Sequence, residues 1–483
     1  MIEKKSSIKK NFAYQLIYEI LVLILPFITS PYIARVIGAE GLGIYSYTYS
    51  VAYYFVLFSL LGIKNYGNRS IAKIRDNRNL LNETFTNILS VHILISIICC
   101  IAYGIYVFEL KEDRVLATIQ GFYVLSGLFD ISWFYFGIER FKMTVSRNII
   151  IKIINVICVF TFVKESTDIW KYCAIMAIGS LVSQLTLWIP LKRYIKFVKP
   201  EWKNMKIHLK PLFILFIPAI AVSLYKYMDK IMLGIIGDKI QLGYYENAEK
   251  VINIPMTIIA SFGTVMLPKM CNLATEKNKK LESRYISLSI QFVMCLAFAL
   301  AFGLSSVGRV FAPIFWGDNF EFSGNIIMGL STTIPFIAFA NVIRTQYLIP
   351  NERDKEYLLS VIVGAIVNLV INWILIPRYG AMGATIATII AEVIVCMIQV
   401  LAVRKELDLL KYIKSFYVFI FIGIIMFIGV YSIGIKLGNN ITTLFIQIIF
   451  GGTFYCTMSG LYFYLTKNEV FIKAIRNMEK RFN

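Results

Sequence analysis

Six charged residues inside apolar segments are the side chains of this sequence best suited to chemistry. Their spacings of three and four residues place them on one face of each of two helices. They are Lys226, Asp229 and Lys230 in the first segment, and Glu246, Glu249 and Lys250 in the second. An ammonium group binds phosphate as a point charge, and a carboxylate among lysines can take up a proton or a sodium ion. The pattern indicates the wall of a polar cavity or, alternatively, a salt-bridge network that pins two helices together.

The surrounding sequence is apolar along its whole length. Of 483 residues 58% are hydrophobic and only 16% are charged, against about 25% charged in soluble domains. A run of ~18 or more apolar residues crosses a bilayer as a helix, which satisfies its own backbone hydrogen bonds. We therefore predict an all-α polytopic membrane protein of about fourteen spans. They lie at residues 12–36, 42–63, 84–108, 114–136, 148–163, 169–191, 212–236, 243–266, 284–306, 323–348, 357–376, 382–403, 415–437 and 442–466.

The basic residues predict which way the chain is threaded. The net charge is +20, and most of the 49 lysine and arginine residues fall in the loops and tails of one side. Positively charged loops stay in the cytoplasm, so we expect both termini there. Topology and lipid headgroups account for the basic charge, so we expect no nucleic-acid partner. Eight cysteines show no metal-ligand spacing, and we expect no metal site.

A short internal repeat predicts two related halves. Ile37-Gly38 precedes Leu42-Gly43-Ile44-Tyr45, and Ile236-Gly237 precedes Leu242-Gly243-Tyr244-Tyr245, each at the turn after the first helix of a half. Both halves begin in the cytoplasm, so the repeat is parallel, as in transporters whose substrate path runs between halves. We predict a six-helix half at 1–191, a basic linker at 192–211, a second six-helix half at 212–403, and a helix pair with a tail at 404–483.

Other polar groups lie in the first two spans. Glu19 stands about 12 Å into the first span without a basic residue one turn away, so it is protonated or faces water. Tyrosines crowd the second span, where they line a sugar path or form an interfacial belt. These tyrosines are Tyr45, Tyr47, Tyr49, Tyr53 and Tyr54.

Several segments together resemble the polysaccharide flippases of the multidrug/oligosaccharidyl-lipid/polysaccharide exporter superfamily. They are PxxxxPYIARVIGAEGLGIY (Pro26–Tyr45), NYGNRSIA (Asn65–Ala72), DKIMLG (Asp229–Gly234), GYYENAEK (Gly243–Lys250) and YGAMGATIAT (Tyr379–Thr388). The resemblance implies that undecaprenyl-diphosphate-linked oligosaccharide repeat units move by alternating access from the inner to the outer leaflet of a bacterial cytoplasmic membrane, for capsule or cell-surface polysaccharide. It implies membrane lipids and a polysaccharide polymerase as partners, and a lipid-tail groove beside the last two spans.

The resemblance also bears on individual residues. Ala34-Arg35-x-x-Gly38-Ala39 is similar to a first-helix motif of the lipid II flippase, which implies that Arg35 binds the lipid diphosphate. The acidic residue that follows this motif in that flippase is absent here. We expect substrate binding by Arg35, Lys226, Lys230 and Lys250. We expect ion coupling by Asp229, Glu19 and Glu249, with no cofactor and with a proton gradient, a sodium gradient or the membrane potential as the drive.

Other functions stay open beside this one. A teichoic-acid or lipid II flippase would differ only in cargo. A cation-coupled multidrug exporter would need an acidic cavity rather than lysines. An enzyme such as a glycosyltransferase would need a sizeable outer loop, and the longest, residues 307–322, has one arginine and few acids. No GxxxxGK[ST] motif occurs, so ATP drive is not expected.

Overall fold

The helices follow the apolar runs closely. The computed structural model describes residues 8–276 and 278–467, with side chains from residue 24 onward except those of residues 225, 410 and 415. In this part of the chain the regular structure is helical and no strand occurs. Twelve helical segments are long and apolar enough to cross a membrane. The predicted polytopic all-α class is therefore confirmed.

Two of the twelve segments each contain two predicted spans. The 53 residues of α1 (Ile8–Leu60) are interrupted at Gly38, where φ is 78°. An unbroken helix of that length would measure about 80 Å, far more than the ~30 Å of a hydrocarbon core. Gly380, with φ of 54°, interrupts α14 (Asp354–Val403) in the same way. Glycine adopts positive φ without a Cβ clash. Counting both breaks, the fourteen predicted helices are present.

Contacts divide the chain into two compact units, one up to Glu246 and one from Asn247 onward. This boundary lies inside the helix at Lys239–Thr275. The predicted basic linker at 192–211 and the predicted domain boundaries at 191, 212 and 404 stay predictions. Before that helix, the chain forms α1, α2 (Ile63–Ile74), α3 (Arg78–Glu109), α4 (Arg114–Leu128), α5 (Ser132–Gly137), α6 (Phe141–Phe162), α7 (Ile169–Leu185), α8 (Trp188–Leu191) and α9 (Trp202–Ile236).

The divided helix is α10, and the second unit holds the remainder. The predicted span at 323–348 is made of two short helices followed by a π-helical turn at Arg344–Leu348. From the divided helix onward the elements are α10 (Lys239–Thr275), α11 (Lys279–Trp316), α12 (Glu321–Ser331), α13 (Ile334–Ile343), α14, α15 (Leu409–Leu437) and α16 (Ile441–Leu465).

An aromatic cluster holds one end of the first unit together. Trp133, Phe134 and Phe85 are fully buried, and the Phe85 ring stacks on Trp133 at a centroid distance of 5.4 Å. A methyl group at Gly67 would overlap the Trp133 indole, so glycine lets α2 lie directly on this ring. The cluster therefore anchors the amphipathic α2 within the first unit.

Candidate functional site

The first candidate contact is an ion pair between α9 and the first residues of α10. The Lys230 Nζ lies 2.7 Å from the Glu246 Oε2, and the Ser46 hydroxyl donates to the same oxygen at 2.8 Å. The Lys230 residue is only 8% exposed. Buried charges are tolerated when they are paired and hydrogen-bonded. The pair therefore joins three segments of the first unit.

A second polar contact lies beside it. Asp229 is 4% exposed, and its Oδ2 accepts a hydrogen bond from the Tyr245 hydroxyl at 2.8 Å. The spacing of the sequence had suggested Lys226 as a neighbour of this carboxylate. Among the described side chains, however, no carboxylate lies within ion-pair distance of Lys226. Tertiary packing thus gives Asp229 a tyrosine hydroxyl on the neighbouring helix.

Lys226 differs from Lys230 in its surroundings although both lie on α9. Its side chain is exposed, with its ammonium 5.7 Å from the centre of the Tyr227 ring. The Lys230 ammonium lies 5.6 Å from the centre of the same ring. An aromatic face attracts cations, so Tyr227 holds both ammonium groups near one ring. Lys226 is therefore exposed at the surface, where a ligand can reach it, whereas Lys230 is buried in its ion pair with Glu246.

A row of tyrosine rings extends from this ring through the first unit. Tyr227 stacks on Tyr53 at 4.0 Å between centroids. Tyr49, one helical turn before Tyr53, stacks on Tyr123 at 4.9 Å between centroids. It also stacks on Tyr45, one further turn back, at 5.9 Å. The Tyr49 and Tyr123 hydroxyls are 3.4 Å apart. The tyrosines of the second span thus form inter-helix stacks, an arrangement that fits packing inside the unit better than a belt at the interface.

The remaining predicted site residues have different positions. Arg35 is exposed on α1. In the second unit, Glu249 and Lys250 are half-buried, and the Lys250 Nζ lies 3.3 Å from the Asn247 Oδ1. The side chain of Glu19 lies outside the described residues. In the part of the chain that is described, no group of three or more histidine, cysteine or acidic residues could hold a metal ion.

The two copies of the repeat contact each other through their glycines. A methyl group at Gly43 would overlap the carbonyl oxygen of Lys239, and one at Gly243 would overlap the carbonyl oxygen of Ala39. Each glycine therefore packs on the backbone of the other copy, four residues before that copy's own glycine. Such a reciprocal exchange is the pattern of an isologous contact about a twofold axis. The sequence showed the repeat, and the structure adds that its copies pair.

One polar contact beside this turn was missed by the sequence reading. The Lys239 Nζ lies 3.5 Å from the centre of the Tyr47 ring and 3.1 Å from the Asp113 Oδ2. Asp113 directly precedes α4, and no spacing in the sequence connects it to Lys239. These contacts tie the loop before α4 to the paired turns.

Comparisons with known proteins relate the chain to a family. The model of a family described as polysaccharide biosynthesis protein matches residues 8–274. A putative O-antigen transporter of Shigella dysenteriae is 25% identical over 406 residues, covering 82% of this chain and 100% of the relative. The capsular polysaccharide biosynthesis protein CapF of Staphylococcus aureus is 23% identical over 394 residues, covering 79% of this chain and 96% of the relative.

A solved structure shares the fold. A lipid II flippase MurJ in an inward closed conformation superposes with a TM-score of 0.76 and 16% identity, covering 95% of this chain and 100% of that one. At this identity the likeness shows the fold alone. The family match and the relative named as a transporter confirm the resemblance seen in the sequence and the expectation of a transport protein rather than an enzyme.

Proposed function

Because the chain belongs to the polysaccharide biosynthesis protein family, we propose that it is a flippase for lipid-linked oligosaccharides in a bacterial cytoplasmic membrane. The cargo is an undecaprenyl-diphosphate-linked repeat unit of a capsule or other surface polysaccharide, moved from the inner to the outer leaflet. Relatives named as an O-antigen transporter and a capsular polysaccharide biosynthesis protein support this cargo class. Membrane lipids surround the protein, a polysaccharide polymerase receives the product, and both termini are cytoplasmic.

The observation that carries the proposal is that the Lys226 and Lys230 ammonium groups both lie near the Tyr227 ring, which stacks on Tyr53. A diphosphate needs cations, and the attached sugars offer faces to aromatic rings. Lys226 is exposed and meets the diphosphate first. Arg35 in the first unit and Lys250 in the second stay proposed as substrate-binding residues, each in its own unit. Lys230 binds only by leaving the Glu246 carboxylate, which lies 2.7 Å from its ammonium group.

This exchange suggests how cargo and ions are coupled. Removing one member of a buried ion pair costs about 3–5 kcal/mol, so Glu246 would be stabilised by taking up a proton or a cation when Lys230 turns to the diphosphate. Further carboxylates are proposed for the same purpose. Asp229 accepts a hydrogen bond from the hydroxyl of Tyr245, which precedes Glu246 in the chain, and the other two are Glu19 and Glu249. The drive is then a proton gradient, a sodium gradient or the membrane potential, without a cofactor.

The paired glycine turns support alternating access. The two turns lie on the predicted outer side, where their backbones are in contact. Release of the headgroup outward requires these turns to separate. We propose that cargo loads from the cytoplasm while these turns are in contact and that the turns open afterwards.

The polyprenyl tail is assigned to an apolar groove in the second unit. A groove of about 720 Å³ lies between α10, α11 and α16, lined by residues such as Phe262, Phe292, Ala299 and Phe463. Apolar surface of this kind suits a hydrocarbon chain. Helix α16 is the last of the fourteen spans, which supports the expectation that the additional helices serve the lipid tail.

The test is transport by Lys226→Ala in vesicles loaded with lipid-linked oligosaccharide, measured as cargo that becomes accessible on the far leaflet. We expect a loss of at least about tenfold, since a hydrogen bond to a charged group contributes about 1.5–3 kcal/mol. Lys203→Ala, an exposed lysine at the start of the same helix, is the matched control and should retain transport. Normal transport by Lys226→Ala would refute the cationic site, and accumulation of another lipid intermediate on depletion would refute the cargo.

A further inference from the structure

A lysine stands at one end of the apolar groove in the second unit. On α10 the wall of the groove is formed by Phe262 and Met266, and Lys269 follows three residues later. With 3.6 residues per turn, Lys269 lies within about 20° of Phe262 around the helix and about 4.5 Å beyond Met266 along it. Lys269 is exposed. It therefore continues the groove face of α10 by one turn and ends it with a positive charge.

Tyr285 connects this lysine to the groove. The Tyr285 side chain lines the groove on α11, and the Lys269 ammonium lies 5.8 Å from the centre of its ring. An aromatic face attracts a cation, so the ring holds the ammonium group beside the apolar wall. We call Lys269 and Tyr285 the groove mouth. The mouth thus joins a cationic group directly to a surface that suits hydrocarbon.

The groove mouth lies near one end of two long helices. Lys269 stands six residues before the end of α10 at Thr275, and Tyr285 stands six residues after the start of α11 at Lys279. Each is therefore about 9 Å from its helix end, on the side predicted to be cytoplasmic. Helix α11 has 38 residues and measures about 57 Å, so its terminal turns extend beyond the ~30 Å of hydrocarbon. The mouth is thus at the level where lipid phosphates lie.

The charge at the groove mouth is available to a ligand. In the described part of the chain, no carboxylate lies within ion-pair distance of the Lys269 ammonium. The acid one turn before Tyr285, Glu282, is buried and accepts a hydrogen bond from the Asn351 side-chain amide at 2.9 Å. A lysine ammonium binds phosphate as a point charge. A phosphate at the mouth would therefore meet an attractive charge there.

The length of the groove fits a hydrocarbon chain. Its wall on α11 runs from Tyr285 to Ala299, a rise of about 21 Å, which is most of the ~30 Å hydrocarbon core. The described side chains that line it are all uncharged. A hydrocarbon chain gains free energy by burying apolar surface there. An apolar groove with a cationic mouth matches a lipid with a phosphate headgroup better than free phosphate or neutral hydrocarbon.

We propose that a polyprenyl diphosphate docks at the groove mouth, with its diphosphate on the Lys269 ammonium and its chain in the groove. The choice of this lipid rests on the proposed function. A single groove also suits its one chain better than the two chains of a phospholipid. Lys269 is exposed, so a lipid reaches the mouth directly from the bilayer. Lys269 is then the residue that recognises the headgroup while the tail is already bound.

The experiment measures binding of sugar-free undecaprenyl diphosphate to the purified full-length protein in detergent, by native mass spectrometry. We expect Lys269→Gln to weaken binding about fivefold, the effect of one exposed ion pair, and Lys269→Arg to restore it. Binding of undecaprenol, which has no phosphate, should not change. Lys280→Gln, at an exposed lysine on another face of α11, is the matched control and should bind like the unchanged protein.

A double variant tests whether one lipid molecule contacts both the mouth and the groove. Ala299→Phe fills the groove and should weaken binding of both undecaprenyl lipids. Two changes that act on one bound molecule are not additive. We therefore expect Lys269→Gln to have little further effect in the Ala299→Phe protein.

A second measurement needs no variant. Bound undecaprenyl diphosphate should protect Lys269 from an amine-reactive reagent at least about threefold, while Lys280 reacts at its original rate. Inorganic pyrophosphate, which has no tail, should protect Lys269 much less. The proposal is overturned if Lys269 is not protected, if pyrophosphate protects it equally, or if Lys280→Gln weakens binding as much as Lys269→Gln does. Binding of phosphatidylglycerol with the same dependence on Lys269 would also overturn it.

These measurements involve no transport, so the docking site and the proposed function can fail separately. Undecaprenyl diphosphate that binds at the mouth in a protein without flipping activity supports the docking site and contradicts the proposed function. Normal flipping by a protein whose lipid binding does not depend on Lys269 contradicts the docking site alone.

Discussion

In the first unit the spans carry paired charges and stacked tyrosines, whereas in the second unit α10, α11 and α16 form an apolar groove of about 720 Å³. The helices of both regions are long and apolar enough to cross a membrane. The difference lies in a few side chains, Lys230 and Glu246 in one region against Phe262 and Phe463 in the other. It teaches that the fold separates surfaces for a charged headgroup from surfaces for a hydrocarbon tail.

The largest effect should come from the buried ion pair. Lys230→Ala removes the ammonium group 2.7 Å from the half-buried Glu246 carboxylate, and we expect the free energy of unfolding to fall by about 3–5 kcal/mol. Lys230→Ala combined with Glu246→Gln also removes the carboxylate charge and should recover most of that stability, as measured by thermal unfolding in detergent. Transport should be lost in both variants. If the double variant transports normally, the pair is only a structural tie.

A smaller loss of stability should distinguish the paired turns of the first unit from a glycine contact in the second unit. Gly43→Ala would press a methyl group onto the Lys239 backbone, which cannot rotate away, and we expect a cost of about 1–3 kcal/mol with slower transport. Gly423→Ala meets the Phe302 ring instead, and a ring can turn. Equal losses in unfolding temperature would contradict the idea that the turns are rigidly paired.

Filling the apolar groove should affect tail recognition alone. Ala299→Phe places a ring in the groove, and we expect about tenfold weaker transport of long-tailed cargo, which corresponds to about 1.4 kcal/mol. Cargo with a short polyprenyl tail should be moved at the original rate. Ile425→Phe, at an exposed position on α15, is the matched control. If both tail lengths are affected equally, the groove does not hold the tail.

The smallest loss of cargo affinity should come from changing the Tyr227 ring, which lies near both lysine ammonium groups. Tyr227→Leu keeps an apolar side chain but removes the aromatic face, and an exposed cation–π contact contributes about 0.5–1 kcal/mol. We expect cargo affinity to fall by roughly two- to fivefold, with Tyr227→Phe close to the original protein. A larger loss in Tyr227→Phe would point to the hydroxyl rather than to the ring.

Parts of the site could be predicted from the sequence because they depend on neighbours along one helix. The spacing of Lys226 and Lys230 placed both on α9, and the structure brings both ammonium groups near one ring. The partners could not be predicted. Lys230 pairs with Glu246, and Asp229 bonds Tyr245, because the packing of α9 on α10 decides which side chains meet.

A polar cavity in the first unit, bordered by Lys152 on α6, shows the same limit more strongly. Its wall comes from segments far apart in the chain, and nothing in the spacing of the sequence singles out Lys152. Only packing shows that Lys64 compensates Asp130 and that nothing described compensates Lys152. Position in sequence carries no information about such an imbalance.

The sequence by itself determined the number of spans and the places where helices break. Hydrocarbon requires long apolar runs with satisfied backbones, and glycine at Gly38 and Gly380 permits the positive φ that each turn needs. The tertiary structure decided which charges are paired, which repeat glycines touch and where cavities remain. These depend on contacts between helices that are remote in sequence, and the free energy of a buried charge depends on its surroundings rather than on its position in the chain.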